Sequence, residues 1–444
     1  MQNDKPKKII LLEKVLRGMA ILVLKKYNPR VVGVTGSVGK TSAKEAIFAV
    51  LSGHFRTRKN EKNYNNEIGL PLTIIGCESG GSSFLKWLGV FFKWLGVIIF
   101  PIEYPEVLVL EMGADRPGDI KYLTDFIKCE AAVITDISES HLEYFKTIDN
   151  VAREKWSLAE SLSEKGIAVI NIDNPNILKI KNQNKKEETP ILSFGFSEEA
   201  DVRAAEVLYN YAEENNSARK EIKGISFKLG YKGSSIPVRL NNVLAKHNIY
   251  AALAGIAIGI GFKLNLVEIA KALEDFSLPY GRMNLIAGIK NSFIIDDAYN
   301  ASPISTAAAL EVFKDIKSSR KIAVLGDMLE LGKNEEIGHR DTAKKFLESG
   351  GNIFFAVGKR MEMAADELKK HSFNENNLYI FSNPMDAGKK LQEIMREGDL
   401  ILIKGSQVMR MEKIVEEIMA EPQNAEELLC RQDAAWKNKE WEEV

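Results

Sequence analysis

From residue 31 onward, short apolar runs rich in β-branched residues alternate with longer stretches whose apolar positions recur at a helical period. RVVGV at 30–34, VLVLE at 107–111, AAVITDI at 131–137 and IAVINID at 167–173 read as buried strands that end in polar residues. Strands of this kind, separated by helices, predict a parallel sheet covered on both faces. Ligands of such sheets bind beyond the carboxyl ends of the strands, so the residues just after each run are where chemistry is expected. Between about 191 and 240 the texture changes to alternating polar stretches, ISFKLGYKG and SIPVRL, which predict a small antiparallel section. The helical stretch HNIYAALAGIAIGIG follows, then a break at PYGR, and a second strand–helix series begins: SFIIDDAYN, KIAVLGD, NIFFAVG, LYIF and DLILIKGS.

The expected fold class is therefore α/β, with a phosphate-loop domain built on a parallel sheet over 31–278 and a Rossmann-like α/β domain over 279–420. Residues 1–30 read as a single helix, because Glu13, Lys14 and Arg17 interrupt the apolar stretch that a signal peptide would need. Residues 421–444, rich in Glu, Gln, Asn and Lys, read as a polar tail.

One segment departs from this pattern. FLKWLGVFFKWLGVIIF at 84–100, inside an insertion over 82–102, is the most apolar run in the chain, and its KWLGV motif repeats after seven residues. It is too short and too interrupted by Lys86 and Lys93 for a membrane span. On a helix, Lys86, Gly89, Lys93 and Gly96 form one narrow stripe, with Trp87, Trp94 and aliphatics around the rest. Two readings follow. The helix lies in a membrane interface, lysines towards headgroups and tryptophans at the boundary, or it packs on the protein's own core or on a second copy.

Length and charge narrow the picture. At 444 residues the chain needs two or three folded units. A formal net charge of -1 supplies no basic field for nucleic acid, which is not expected as a partner. Cys77, Cys129 and Cys430 form no close pair, so neither a zinc site nor a disulfide framework is expected, and a reducing cytoplasm is the simplest location. Oligomeric state is not legible.

The most informative stretch is VVGVTGSVGKTSAKEAIFAVL, a glycine-rich turn set between an apolar strand and an amphipathic helix. Thr35, Gly36, Ser37, Gly39, Lys40, Thr41 and Ser42 form the candidate ATP site. The glycines let backbone N–H groups converge on phosphate oxygens, Lys40 neutralises them, and the helix adds its positive end. Thr41 offers a hydroxyl to Mg2+. Val34 stands where the general phosphate-loop spacing has glycine, so the motif here is TGxxGKT. The blander alternative is a tight strand-to-helix turn with an exposed lysine. A hard cation on nucleotide phosphates needs further ligands, and the strand ends offer Glu111 and His141.

With these residues in view, the chain resembles the Mur ligases of peptidoglycan synthesis, particularly the MurF type. The resemblance rests on TGSVGKTS at 35–42, NNEIGLPLT at 65–73, LEMGADRPGDI at 110–120, SHLEYF at 140–145, HNIYAALA at 247–254, YGR at 280–282, DDAYNASP at 296–303, GDMLELG at 326–332 and KGS at 404–406, all in order. It implies an ATP- and Mg2+-dependent ligase that activates a carboxylate as an acyl phosphate and joins it to an amine. The implied partners are a muramoyl-peptide-like acid and D-alanyl-D-alanine or another amino acid. It also implies residue roles: Lys40, His141 and Lys155 in catalysis, and Thr41, Glu111, His141 and a carbamylated Lys155 on metal. Asn248, Arg282, Asp297 and Asn300 are implied nucleotide contacts, and Asn65, Asn66, His339 and Lys404 candidate substrate contacts. Taken alone, Lys155 reads as an exposed charge on an amphipathic helix, and Asp297 and Asn300 as a strand-end turn with Ser302 capping the next helix. The family's usual uridine-nucleotide domain is expected to be absent or replaced, since about thirty residues precede the first strand. Gln407 stands where the family has arginine. Two alternatives stay open: a folylpolyglutamate or poly-γ-glutamate synthase-like ligase, and a non-catalytic nucleotide-binding scaffold peripheral to the inner face of the membrane.

Overall fold

The structure, a computed structural model, describes residues 6–61, 64–139, 142–184, 189–211 and 222–437. The chain forms two compact units, one of Met1–Asn241 and His247–Ser277, the other of Asn242–Lys246 and Leu278–Val444.

The first unit is built on a nine-stranded sheet. In chain order its strands are β1 (Arg30–Thr35), β2 (Thr57–Lys59), β3 (Val107–Glu111), β4 (Ala131–Ile134), β5 (Ile167–Asn171), β6 (Ile191–Gly195), β7 (Val202–Tyr211), β8 (Ile222–Tyr231) and β9 (Ser234–Leu240). Their spatial order is β2-β3-β1-β4-β5-β6-β7-β8-β9, parallel from β2 to β7 and antiparallel across the last three. β1 is thus a central strand, and both its neighbours run with it, so its carboxyl end opens where β3 and β4 also end.

Helices cover this sheet for reasons legible in their side chains. The helix Lys40–Ser52 and the helix Ile249–Gly261 pack closely because the second offers glycine at the contact: a Cβ on Gly255 would lie 3.0 Å from the Ala46 carbonyl oxygen. The helix Lys7–Tyr27 buries Leu16, Met19, Ala20 and Val23 in the same core as the sheet. The helix Phe84–Ile99 is docked by Val90 and Val97, which corrects one expectation. Its tryptophans do not sit at an outer boundary: Trp87 Nε1 donates to the Gly81 carbonyl at 3.0 Å and Trp94 Nε1 to the Met19 carbonyl at 3.1 Å. Lys93 likewise turns to the Gly76 carbonyl. An indole N–H finds a fixed backbone acceptor here, which satisfies it better than an exposed position. Among the described residues no helix is long and apolar enough to cross a membrane.

The second unit carries a six-stranded sheet of β10 (Asn284–Gly288), β11 (Ser292–Asp297), β12 (Lys321–Gly326), β13 (Ile353–Val357), β14 (Leu378–Phe381) and β15 (Leu400–Lys404). The order is β10-β11-β15-β12-β13-β14, with only the edge strand β10 antiparallel. The segment expected to be a polar tail from 421 is not one as far as it is described. Leu429, Cys430 and Arg431 are buried, and Arg431 Nε donates to Glu412 Oε2 at 3.0 Å and its Nη1 to the Tyr299 carbonyl at 3.0 Å. Composition misled because one buried arginine, paired to one buried glutamate, anchors a stretch with few apolar residues. Residues 438–444 lie outside the described residues.

Candidate active site

The turn after β1 is set by glycine. Gly36 has φ 157, and a Cβ there would fall 2.0 Å from Thr135 Oγ1; Gly39, in the left-handed region at φ 82, precedes the helix Lys40–Ser52. That helix has no side-chain N-cap, so the N–H groups of its first turn face the turn itself. The loop is held from β4's side: Ser37 N donates to the Asp136 carbonyl at 2.8 Å, Ser37 Oγ donates to the Ser138 carbonyl at 3.0 Å, and Thr135 Oγ1 donates to the Val38 carbonyl at 2.6 Å. From β3's side, Thr35 Oγ1 donates to the Met112 carbonyl at 3.0 Å. Lys40 Nζ donates to the Gly36 carbonyl at 2.7 Å, which folds its ammonium back over the turn. Thr41 is partly exposed in the first helical turn and Ser42 is buried.

Register sets Glu111 beside Val34, one residue before Thr35. The carboxylate is buried, and its Oε1 accepts from Asn65 Nδ2 at 3.2 Å. Its Oε2 is buried and makes no hydrogen bond among the described residues. A carboxylate oxygen left that way is costly unless something absent from the protein chain completes it, and a hard cation is the natural partner. His141, the other strand-end ligand expected from the sequence, lies outside the described residues.

Lys155 sits on the helix Ile148–Glu160 and is only 2% exposed, so the solvated-charge reading of this residue is overturned. Burial, and after it the charge of Lys40, pushes its ammonium down to about 7, against the opposing pull of Glu154, Asp136 and Asp115. That Lys40 acts on Lys155 puts the two in one electrostatic neighbourhood. Asn66 has a local task instead of a ligand-facing one: its Oδ1 accepts from Gly69 N at 3.0 Å and from Ile68 N at 3.2 Å, capping the helix Gly69–Ile75. Asn248 is buried at the start of the helix Ile249–Gly261, and its side chain does not cap it.

The sequence reading missed two residues that shape this site. Asn60 is fully buried; it accepts from Glu111 N at 2.7 Å and its carbonyl accepts from Lys44 Nζ at 2.6 Å. Lys44, one helical turn beyond Lys40, is itself buried, and that spacing was the signal available. Glu154, adjacent to Lys155, caps the turn at 118–120 by accepting from Gly118 N and Ile120 N at 2.7 and 2.8 Å.

In the second unit, parallel register pairs Asp297 with Lys404. Lys404 Nζ donates to Asp297 Oδ2 at 2.6 Å and to the Asn300 carbonyl at 2.8 Å, so it orients the Asp297–Asn300 turn and is not a free contact. The Arg282 guanidinium lies 4.4 Å from the Tyr299 ring centroid, and its buried Nε lacks a partner among the described residues. Ser302 caps the helix Pro303–Asp315 in a reciprocal box with Ser305. His339 is not placed for substrate. It is fully buried, its Nε2 accepts from Met328 N at 3.1 Å, and its Nδ1 lies 2.7 Å from the Glu335 carbonyl, so both ring nitrogens are engaged.

Comparison with known proteins agrees with this geometry. The family description "Mur ligase middle domain" matches residues 100–259, and "Mur ligase, glutamate ligase domain" matches 281–407. The chain is 31% identical over 408 residues to the UDP-N-acetylmuramoyl-tripeptide--D-alanyl-D-alanine ligase of Bacillus subtilis, covering 92% of this chain and 79% of that protein. Among solved structures it is similar to MurF from Acinetobacter baumannii, with TM-score 0.74, 25% identity, and 91% and 79% of the two chains covered. The fold also matches MurF from Thermotoga maritima in complex with ADP, with TM-score 0.71, 24% identity, and 91% and 83% covered.

Proposed function

Since the chain belongs to the Mur ligase family, MurF type, we propose that it joins D-alanyl-D-alanine to a muramoyl-tripeptide carboxylate at the expense of ATP. The observation that carries this reading is the meeting, at the carboxyl end of one parallel sheet, of the loop 35–42 with a buried Glu111 oxygen that has no protein partner.

A carboxylate repels amines and has no leaving group, so it must first be activated. The loop N–H groups and Lys40 hold the triphosphate with its terminal phosphorus towards the acceptor carboxylate. Attack by a carboxylate oxygen forms the acyl phosphate and releases ADP. The neutral amine of the dipeptide then adds to the carbonyl, phosphate departs, and loss of a proton leaves the amide. The donor set fits Mg2+: Thr41, Glu111 and Lys155 would hold it, and when bound it would offset charge on the transferring group. Lys155 contributes in a form that burial makes accessible. With its ammonium pushed down to about 7, a large share is neutral amine near neutral pH, which adds CO2 and loses a proton to give an anionic carbamate. Asn65 orients Glu111, and Lys404 orients Asp297, which with Arg282 and Asn300 serves the nucleotide.

The test is phosphate release and product mass with ATP, Mg2+, muramoyl tripeptide and D-alanyl-D-alanine. Turnover should need both organic substrates, and Lys40→Ala should lower it by at least about 100-fold. Release with glutamate and a γ-glutamyl acceptor alone would replace the substrate assignment, and undiminished turnover by Lys40→Ala would sink the mechanism.

A further inference from the structure

The helix Phe84–Ile99 has two apolar faces, and the fold uses one. Val90 and Val97 are buried with Trp87 and Trp94 beside them, whereas Phe84 and Leu85 are 78% and 76% exposed and Phe91, Phe92 and Ile99 are exposed too. Phe100 and Ile102 extend this outer surface past the helix end.

The neighbouring helix Lys7–Tyr27 repeats the arrangement. Its buried stripe of Leu16, Met19, Ala20 and Val23 faces the core, and Leu11, Val15 and Leu22 form a second, exposed stripe at helical spacing. The two helices are tied together: Lys26 Nζ donates to the Val97, Ile98 and Phe100 carbonyls at 2.8–2.9 Å, and Tyr27 Oη donates to the Val97 carbonyl at 2.8 Å. Those bonds satisfy the carboxyl end of Phe84–Ile99, where no water-facing cap is needed.

Charge decides what covers this surface. Lys7, Lys8, Lys14, Lys25 and Lys86 are exposed on the two helices, whose only acidic residue, Glu13, is buried. Two copies docked through the same patch would bring lysines against lysines, which opposes self-association. A surface of negative headgroups over hydrocarbon complements both features at once. Spanning is excluded by length, since 16 helical residues reach roughly 24 Å against a hydrocarbon core of about 30 Å.

We propose that the helices Lys7–Tyr27 and Phe84–Ile99 together form a docking surface for an anionic lipid bilayer, on which the protein lies without crossing it. Tryptophan anchoring plays no part, because both indoles point inward; the exposed phenylalanines and leucines enter the acyl boundary and the lysines meet the headgroups.

The experiment is flotation of the full-length protein with vesicles of phosphatidylcholine alone and of phosphatidylcholine with phosphatidylglycerol. The protein should float with the anionic vesicles and detach as salt is raised. Leu85→Asp/Phe92→Asp and, separately, Lys7→Glu/Lys14→Glu/Lys86→Glu should each reduce the bound fraction by roughly tenfold or more, with nucleotide affinity and thermal midpoint unchanged. The idea is overturned by failure to float on anionic vesicles. It is equally overturned if sedimentation shows a dimer that the Leu85→Asp/Phe92→Asp variant dissolves, or if either variant floats as well as the parent.

Discussion

Glu111 and Asp296 are both buried carboxylates with one oxygen left without a partner among the described residues, yet they ask for different things. Glu111 stands at the phosphate loop with its other oxygen oriented by Asn65. Glu111→Gln keeps the volume and that contact while removing the charge. Turnover should fall by about 100-fold and half-saturation should move to higher Mg2+, with the fold's thermal midpoint no lower, which a Mg2+ titration of activity and a melting curve would show. Asp296 is fully buried next to Asp297, and burial, then the backbone N–H of Ala298 acting against it, then the Asp297 charge, leave its carboxyl pushed up to about 7 from 3.8. Between those values the folded protein keeps a proton that the unfolded chain has lost. Its contribution to stability therefore declines as pH rises from about 4 to about 7, with the full penalty standing above 7. Asp296→Asn cannot ionise, so its stability relative to the parent should improve by on the order of 2 kcal/mol between pH 5 and pH 8 in urea titrations. A difference independent of pH would contradict the assignment.

At the scale of elements, the buried runs of the sequence became the central strands, and the reason is local. β1, β3 and β5 are buried on both faces, so every residue must be apolar and the pattern is unambiguous. β2, only three residues long and reading TRK, has no such signature; it forms because Thr57–Lys59 meets the edge of β3. β10 is likewise an edge strand that only pairing with β11 defines. The phosphate loop depends on one helix contact that no motif describes, the approach of Gly255 to the backbone of Ala46. Gly255→Val should displace the helix Lys40–Ser52, costing about 1–3 kcal/mol and weakening ATP binding several-fold, measurable by calorimetry and denaturation. Unchanged affinity would mean that the loop is positioned by β1 and β4 alone.

Across the whole molecule, each unit places its polar cluster at the carboxyl ends of a mostly parallel sheet, and each is closed by chain far away in sequence. In the first unit the helix Lys7–Tyr27 completes the core. In the second, Arg431 returns to Glu412 and to the carbonyls of Ala298 and Tyr299, just before the Asn300 turn. Arg431→Ala leaves Glu412 buried with Arg410 as its remaining partner, at 2.5 Å. It should cost about 3–5 kcal/mol and lower the melting temperature by several degrees, with a smaller effect from Arg431→Lys. A loss below about 1 kcal/mol would return the segment from 421 to the status of a tail.

What the sequence determined by itself was whatever local geometry enforces: the strand, glycine turn and helix of 30–52, the runs that build both sheets, and the strand-end positions of Glu111 and Asp297. These follow from side-chain period and backbone freedom within a few residues. Tertiary structure alone decided which charges are buried and by whom they are answered. It put Lys155 under cover near Lys40, left one Glu111 oxygen open, used up both nitrogens of His339, turned Trp87 and Trp94 inward and drew Arg431 into the core. The physical reason is that burial and hydrogen-bond partnership are set by atoms brought close in space, many of them on distant parts of the chain, and no window of sequence contains them.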